Sequence, residues 1–187
     1  MSLICMFNGP PRIGKDVLAE SLRFDLGLPL EDKHTLAREV IKQASEYFDC
    51  SDIYHKWGVT GFKDTHNDVL GQTPRRSVLD FSKKFVADKP FNSICRPVFN
   101  KITSDSIITD IGFQREYDTF KCLEDKGFTV VVIQLRHPDF EYRDDDRYYV
   151  EVDEDHLLTF NVTRGDIRGD SEKLFNLIME RKNANSL

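Results

Sequence analysis

The run Gly9-Pro10-Pro11-Arg12-Ile13-Gly14-Lys15-Asp16 carries the clearest chemistry in the sequence. Its spacing, G-x-x-x-x-G-K, suits a backbone that wraps around a phosphate group. Glycines let several N–H groups converge on one anion, and a helix starting directly afterwards adds the positive end of its dipole. Lys15 brings a point charge to the outer phosphates. Pro10 and Pro11 have no N–H, so the amides nearest Gly14, Lys15 and Asp16 must carry the cradle. Lys15 is expected on a solvent-facing turn. The plain alternative is an ordinary strand-to-helix turn.

Asp16 stands where such loops usually carry Ser or Thr. A hydroxyl would be a neutral ligand for Mg²⁺, whereas Asp16 offers an anionic oxygen, directly or through water. Asp110 closes a second apolar run and is a candidate for a second metal-orienting carboxylate. It reads equally well as a cap for the helix that follows.

These residues need elements to hold them. Leu3-Ile4-Cys5-Met6-Phe7 is a short unbroken apolar run stopped by Asn8-Gly9-Pro10-Pro11, which predicts a buried parallel strand. Gly14 to Leu26 predicts a helix with Val17, Leu18, Leu22 and Leu26 on one face and Gly27 as its stop. Further helices are expected over about 35–48, from Thr73-Pro74 onwards, over 116–126 closed by Gly127, and over 171–181. Further strands are expected over 106–111, 128–135 and 157–162. The stretch 50–72 shows weak periodicity and predicts no clear element. Strands alternating with helices imply an α/β fold with a parallel sheet covered by helices on both faces. In such a sheet the ligand crevice lies at the carboxyl ends of the strands, where both Lys15 and Asp110 would stand.

Composition narrows the function further. The chain has 187 residues, 40 % hydrophobic and 31 % charged, enough for a sizeable core. Its formal net charge of −6 argues against a protein that coats nucleic acid or an acidic membrane. No window approaches the ~18 apolar residues of a membrane span, so a cytoplasmic protein without a visible export signal is expected. Cys5, Cys50, Cys95 and Cys122 show no metal-ligand spacing and read as buried free thiols. The five histidines show no ligand spacing either. Tyr47, Phe48, Tyr54 and Trp57 read as core aromatics more readily than as a base-stacking wall.

With these residues in hand, the chain resembles the deoxynucleoside monophosphate kinases of tailed bacteriophages, a branch of the P-loop nucleoside monophosphate kinases. The resemblance rests on GPPRIGKD, on TLAREVIKQASEYFD (35–49), on FKD followed by LGQTPRRSVLDF, and on ITDIGFQREYDTFKCLEDKGFTVVVIQLRH. These segments follow the family's order from Met1 to about His137. Gly112 stands where the family usually has Arg, and Arg115 where it usually has Asn.

The resemblance implies a three-layer P-loop kinase fold in a single domain over 1–187. An acceptor-binding helical insert is expected at about 33–104 and a lid at about 136–149. The implied reaction moves the γ-phosphoryl group of ATP, bound with Mg²⁺, to the phosphate of a (deoxy)nucleoside monophosphate. Gly9, Ile13, Gly14, Lys15, Asp16 and Val17 would bind ATP, with Lys15, Arg12 and Asp16 acting on the transferred group and Asp16 and Asp110 on the metal. Lys63, Arg75, Arg76, Arg96 and Arg115 are the candidates for the acceptor, because planar guanidiniums grip phosphate bidentately. Arg136, Arg143 and Arg147 are candidates for the lid, although RHPDFEYRDDDR also reads as a solvated charged loop. A P-loop kinase for another small acceptor, and a nucleotide-binding module without catalysis, stand as the alternatives. The oligomeric state, with a homodimer as one option, is left open by the sequence.

Overall fold

Five strands, all paired in parallel, form one sheet in the order β2-β3-β1-β4-β5. The computed structural model describes residues 2–24, 32–88, 95–142 and 147–184; the side chains at 32–37, 85–88, 97 and 110 lie outside that description. The strands are β1 (Ser2–Asn8), β2 (Asp32–Thr35), β3 (Ser106–Ile111), β4 (Phe128–Arg136) and β5 (Leu157–Asn161). The helices are α1 (Lys15–Phe24), α2 (Leu36–Tyr47), α3 (Asp52–His55), α4 (Pro74–Asp88), α5 (Arg96–Phe99), α6 (Gln114–Lys121) and α7 (Ile167–Ala184).

β1 is the central strand, paired with β3 on one side and β4 on the other, which is why its apolar run is unbroken. Leu3, Cys5 and Phe7 face one layer, packed with Ile107, Val131, Ile133 and Leu135 against Leu18, Ala19 and Leu22 of α1 and Leu174 and Ile178 of α7. Ile4, Met6, Ile108, Val130 and Val132 on the opposite face are equally buried, as are Tyr117 and Phe120 of α6 and the adjoining Leu123. Truncating one of the large core side chains to Ala should cost about 2–5 kcal/mol. Burial pushes the Cys5 thiol up to about 12; all four cysteines are free, but Cys122 is exposed on the turn after α6 rather than buried as expected. Among the described residues no helix is long and apolar enough to cross a membrane.

Several elements depart from the sequence reading for local reasons. β2 is a four-residue edge strand, DKHT, with no apolar run to announce it, and the helix expected over about 35–48 follows it directly as α2. α6 starts two residues early and stops at Lys121, and a separate 3-10 turn at Glu124–Lys126 follows before Gly127 (φ 82) closes it. α7 starts at Ile167 rather than Ser171 because Asp166 caps it, its Oδ1 accepting from Gly169 N at 3.1 Å. The expected helix stop at Leu26 and Gly27 lies outside the described residues.

The chain forms two compact units, Met1–Thr35 with Phe99–Leu187, and Leu36–Val98. The first holds the whole sheet. The second is helical: α2 packs on α3 and α4, and α4 on the 3-10 turn Phe62–Asp64. Within it Tyr47 meets Phe48 and Phe81 with ring centroids at 5.0 and 5.3 Å, but it packs on them from outside: Tyr47 is 54 % exposed and is not the core aromatic expected.

Candidate functional site

The loop from Gly9 to Gly14 runs from the carboxyl end of β1 into α1. Gly9 fits a narrow gap: a Cβ there would meet Ile13 and Leu135 at 3.2 Å. Gly14 has φ +100, a conformation that favours glycine, and Arg12 takes φ 68 without that freedom. Backbone strain of this kind costs about 1–3 kcal/mol and gathers at functional turns. The first amides of α1 have no carbonyl one turn earlier within the helix, the ladder beginning with Leu18 N to Gly14 O at 3.0 Å. Amides at the start of a helix favour an anion.

Lys15 does not project into solvent as the sequence reading expects. It is only 6 % exposed, and its Nζ donates to the carbonyls of Gly9 at 2.8 Å and Pro10 at 2.9 Å. The ammonium is thereby folded across the mouth of its own loop, where a phosphate oxygen would compete with those carbonyls. Arg12, Asp16 and Val17 are exposed and Ile13 is buried under the loop. Asp16 lies in the first turn of α1, where a carboxylate also favours the helix dipole.

A second feature of this edge was not foreseen from the sequence. Residues 147–151 cross the carboxyl ends of the strands as an extended strap, held by three side-chain amides. Asn8, fully buried at the end of β1, donates through Nδ2 to Ile111 O (2.8 Å), Tyr148 O (3.1 Å) and Tyr142 Oη (3.1 Å). Its Oδ1 accepts from Val150 N at 3.1 Å. Gln134 at the end of β4 donates to Val150 O at 2.7 Å. Gln114 takes both sides of Glu151, donating to its carbonyl at 2.9 Å and accepting from its N–H at 2.8 Å. The β1–β3 register slips by a residue between Met6 and Asn8, bringing Ile111 opposite Asn8. Of these amides only Asn8 has a sequence signal, a polar residue closing an apolar run.

The remaining candidates are placed as follows. Asp110 is on β3, with its side chain outside the described residues, as is the whole of Arg143. Arg115 is exposed on α6. Arg136 stacks 3.5 Å over the Tyr149 ring and donates to Gln134 Oε1 at 2.9 Å, so its guanidinium braces the strap. Burial raises the Tyr149 phenol above its ordinary value against the pull of Arg136, keeping its hydroxyl a donor to Leu135 O at 2.8 Å. Arg147 lies over Gly112, the position where the resemblance expects an arginine. In the helical unit, Arg75 forms a two-pronged pair with Asp64 at 2.6 and 3.4 Å, and Arg76 pairs with Asp80 at 3.0 Å one turn along α4. Thr73 starts that helix as expected, its Oγ1 accepting from Arg76 N at 3.2 Å. Lys63 is half-buried in the 3-10 turn and Arg96 is exposed on α5. Among the described residues no group of three His, Cys, Asp or Glu side chains is placed to hold a metal ion.

No family model matches the chain, and no curated protein matches it. Among solved structures it is similar to the shikimate kinase of Aquifex aeolicus, at 12 % identity over 98 % of each chain with a TM-score of 0.43. The architecture itself stands on the parallel strand order and on the loop that joins the central strand to α1.

Proposed function

We propose that the chain is an ATP-dependent phosphotransferase acting on (deoxy)nucleoside monophosphates. The observation that carries the reading is the loop at Gly9–Gly14, with Lys15 folded across it at the carboxyl edge of a parallel sheet. The order of the sequence motifs after that loop favours a nucleotide acceptor. An oxygen of the acceptor phosphate attacks the γ-phosphorus, the bond from that phosphorus to the β–γ bridging oxygen breaks, and ADP leaves. The acceptor is already an anion, so no strong general base is needed; positioning and neutralising two polyanions is the task.

Lys15 and the first amides of α1 hold the ATP phosphates in this reading. The Asp16 carboxylate is a hard oxygen donor suited to Mg²⁺, which would be held mainly by the ATP phosphates and supplies charge neutralisation when bound. Lys63, Arg75, Arg96 and Arg115 are proposed for the acceptor; Arg76, paired with Asp80 along α4, is left out of that set.

Measuring ADP release from ATP and Mg²⁺ with a panel of acceptors tests the proposal. Release with monophosphates alone is the expected result. Release only with other small acceptors replaces the substrate, and tight ATP binding without any release leaves a nucleotide-binding module. Failure to bind ATP overturns the loop reading altogether.

A further inference from the structure

The Gly112 backbone is fixed on both sides. Its N–H donates to Glu116 Oε2 at 2.7 Å, and its carbonyl accepts from Tyr148 N at 3.1 Å. A Cβ at this position would lie 2.7 Å from both Cγ and Cδ of Arg147 and 2.9 Å from its Cβ. Real side chains do not approach so closely, and the near end of Arg147 cannot swing away as a flexible tip could. The absence of a side chain at 112 is therefore what lets the Arg147 stem lie across the carboxyl end of β3.

The strap that carries Arg147 is equally fixed. Tyr148, Val150 and Glu151 are each tied through their backbone to Asn8, Gln114 or Gln134, and those amides stand at the ends of β1 and β4 and at the start of α6. An arginine seated this way has surrendered much of its rotamer freedom before any ligand arrives. In the reading above, Lys15 and the α1 amides serve the ATP phosphates after β1. Arg147 stands one strand over, at the end of β3, on the β2 side of that loop.

We propose that Gly112 seats Arg147 as a pre-positioned anion-binding residue, whose guanidinium takes the phosphate of the acceptor nucleotide. Arg147 is the binding residue and Gly112 a positioning residue that acts only through it. This rests on the monophosphate reading above and deepens it. It differs from a lid arginine, because the strap residues that follow Arg147 are pinned to the sheet ends.

The experiment titrates the full chain by calorimetry with deoxynucleoside monophosphates, and separately with ATP. The variants are Arg147→Ala, Arg147→Lys, Arg147→Gly, Gly112→Ala and the double variant Gly112→Ala/Arg147→Gly, because an alanine at 147 would keep the Cβ that lies 2.9 Å from the added one. Arg147→Ala should weaken monophosphate binding roughly tenfold or more, and Arg147→Lys should recover only part of it, since charge remains and the fork is lost. ATP binding should stay within about twofold in both. In ADP-release assays Gly112→Ala should raise the monophosphate KM more than it lowers kcat, and in the titration it should add nothing once Arg147 is already Gly. Additive losses would overturn the positioning role. Unchanged monophosphate titration in the single Arg147 variants would overturn the binding role, and this holds even if Gly112→Ala does not fold. If wild type binds ATP but no monophosphate, the substrate reading and this inference fall together. If wild type binds both and the Arg147 variants do too, only the inference falls.

Discussion

Val150 donates its backbone N–H to Asn8 Oδ1 at 3.1 Å, joining residues 142 positions apart. The same buried amide also bonds Ile111 O and Tyr148 O, so one side chain ties the central strand to β3 and to the strap. Asn8→Ala leaves Val150 N and Ile111 O without that partner. It should cost about 1–3 kcal/mol in denaturant unfolding. Asn8→Asp should cost more at neutral pH, because an oxygen then faces two carbonyls in place of an N–H donor. An Asp variant as stable as wild type would show that the network tolerates a carboxylate there.

Lys15→Ala tests the loop directly. The two hydrogen bonds from Nζ stay within the loop, so the fold should lose only about 1–2 kcal/mol. In the proposed reaction the rate should fall about 10²–10³-fold or more, the scale on which a preorganised positive group stabilises developing charge. Thermal melting and ADP release on the same preparation separate the two effects. Wild-type turnover in a folded Lys15→Ala protein would remove the loop from the mechanism.

How far the sequence disclosed this arrangement depended on whether a feature is contiguous. β1 and β4 are legible because strands buried on both faces must be apolar throughout, and the loop is legible because its glycines and lysine lie within one short run. β2 is not, since an edge strand of four polar residues has no hydrophobic pattern to display. The strap is illegible for a different reason. Asn8, Gln114 and Gln134 acquire their role only when three chain segments meet, and nothing local marks an amide that will bind a backbone far along the chain. The burial of Lys15 is of the same kind, because the loop's own carbonyls capture it.

A pH-dependent pair lies at the amino edge of the sheet, away from the loop. Lys121 Nζ bonds Asp153 Oδ2, while His156, just before β5, meets Glu124 at 2.7 Å. The bond from Lys121 holds the Asp153 carboxyl below its ordinary value of 3.8, and the same bond raises the Lys121 ammonium above its ordinary 10.5. A depressed carboxyl stabilises the fold above its unfolded value and loses that contribution as pH falls through its folded value. A raised ammonium stabilises the fold below its unfolded value and loses that contribution as pH climbs through its folded one. The pair therefore contributes across the neutral range and fades at both extremes. Lys121→Met should lower the melting temperature slightly at neutral pH and not at a pH well below Asp153's depressed value. An equal loss at both would mean that Lys121 acts through packing on Tyr117 instead, whose ring it approaches at 5.8 Å.

On the acceptor side, Arg75 is the sharpest test. It sits in the first turn of α4, and Asp64 holds its guanidinium through two hydrogen bonds. An exposed pair of this kind contributes only about 0–1 kcal/mol, so its geometry matters more than its strength. In the proposed reaction Asp64 pre-orients the fork, and a phosphate dianion would take the place of its carboxylate. Arg75→Lys keeps the charge and loses the fork, so monophosphate binding should weaken roughly tenfold or more while ATP binding barely changes. Arg76, drawn along α4 to Asp80, is the internal control, and Arg76→Lys should leave the titration near wild type. Should both variants bind the monophosphate as wild type does, the helical unit's first-turn arginines are surface residues. Arg96 and Arg115 would then join Arg147 as the candidates for that phosphate.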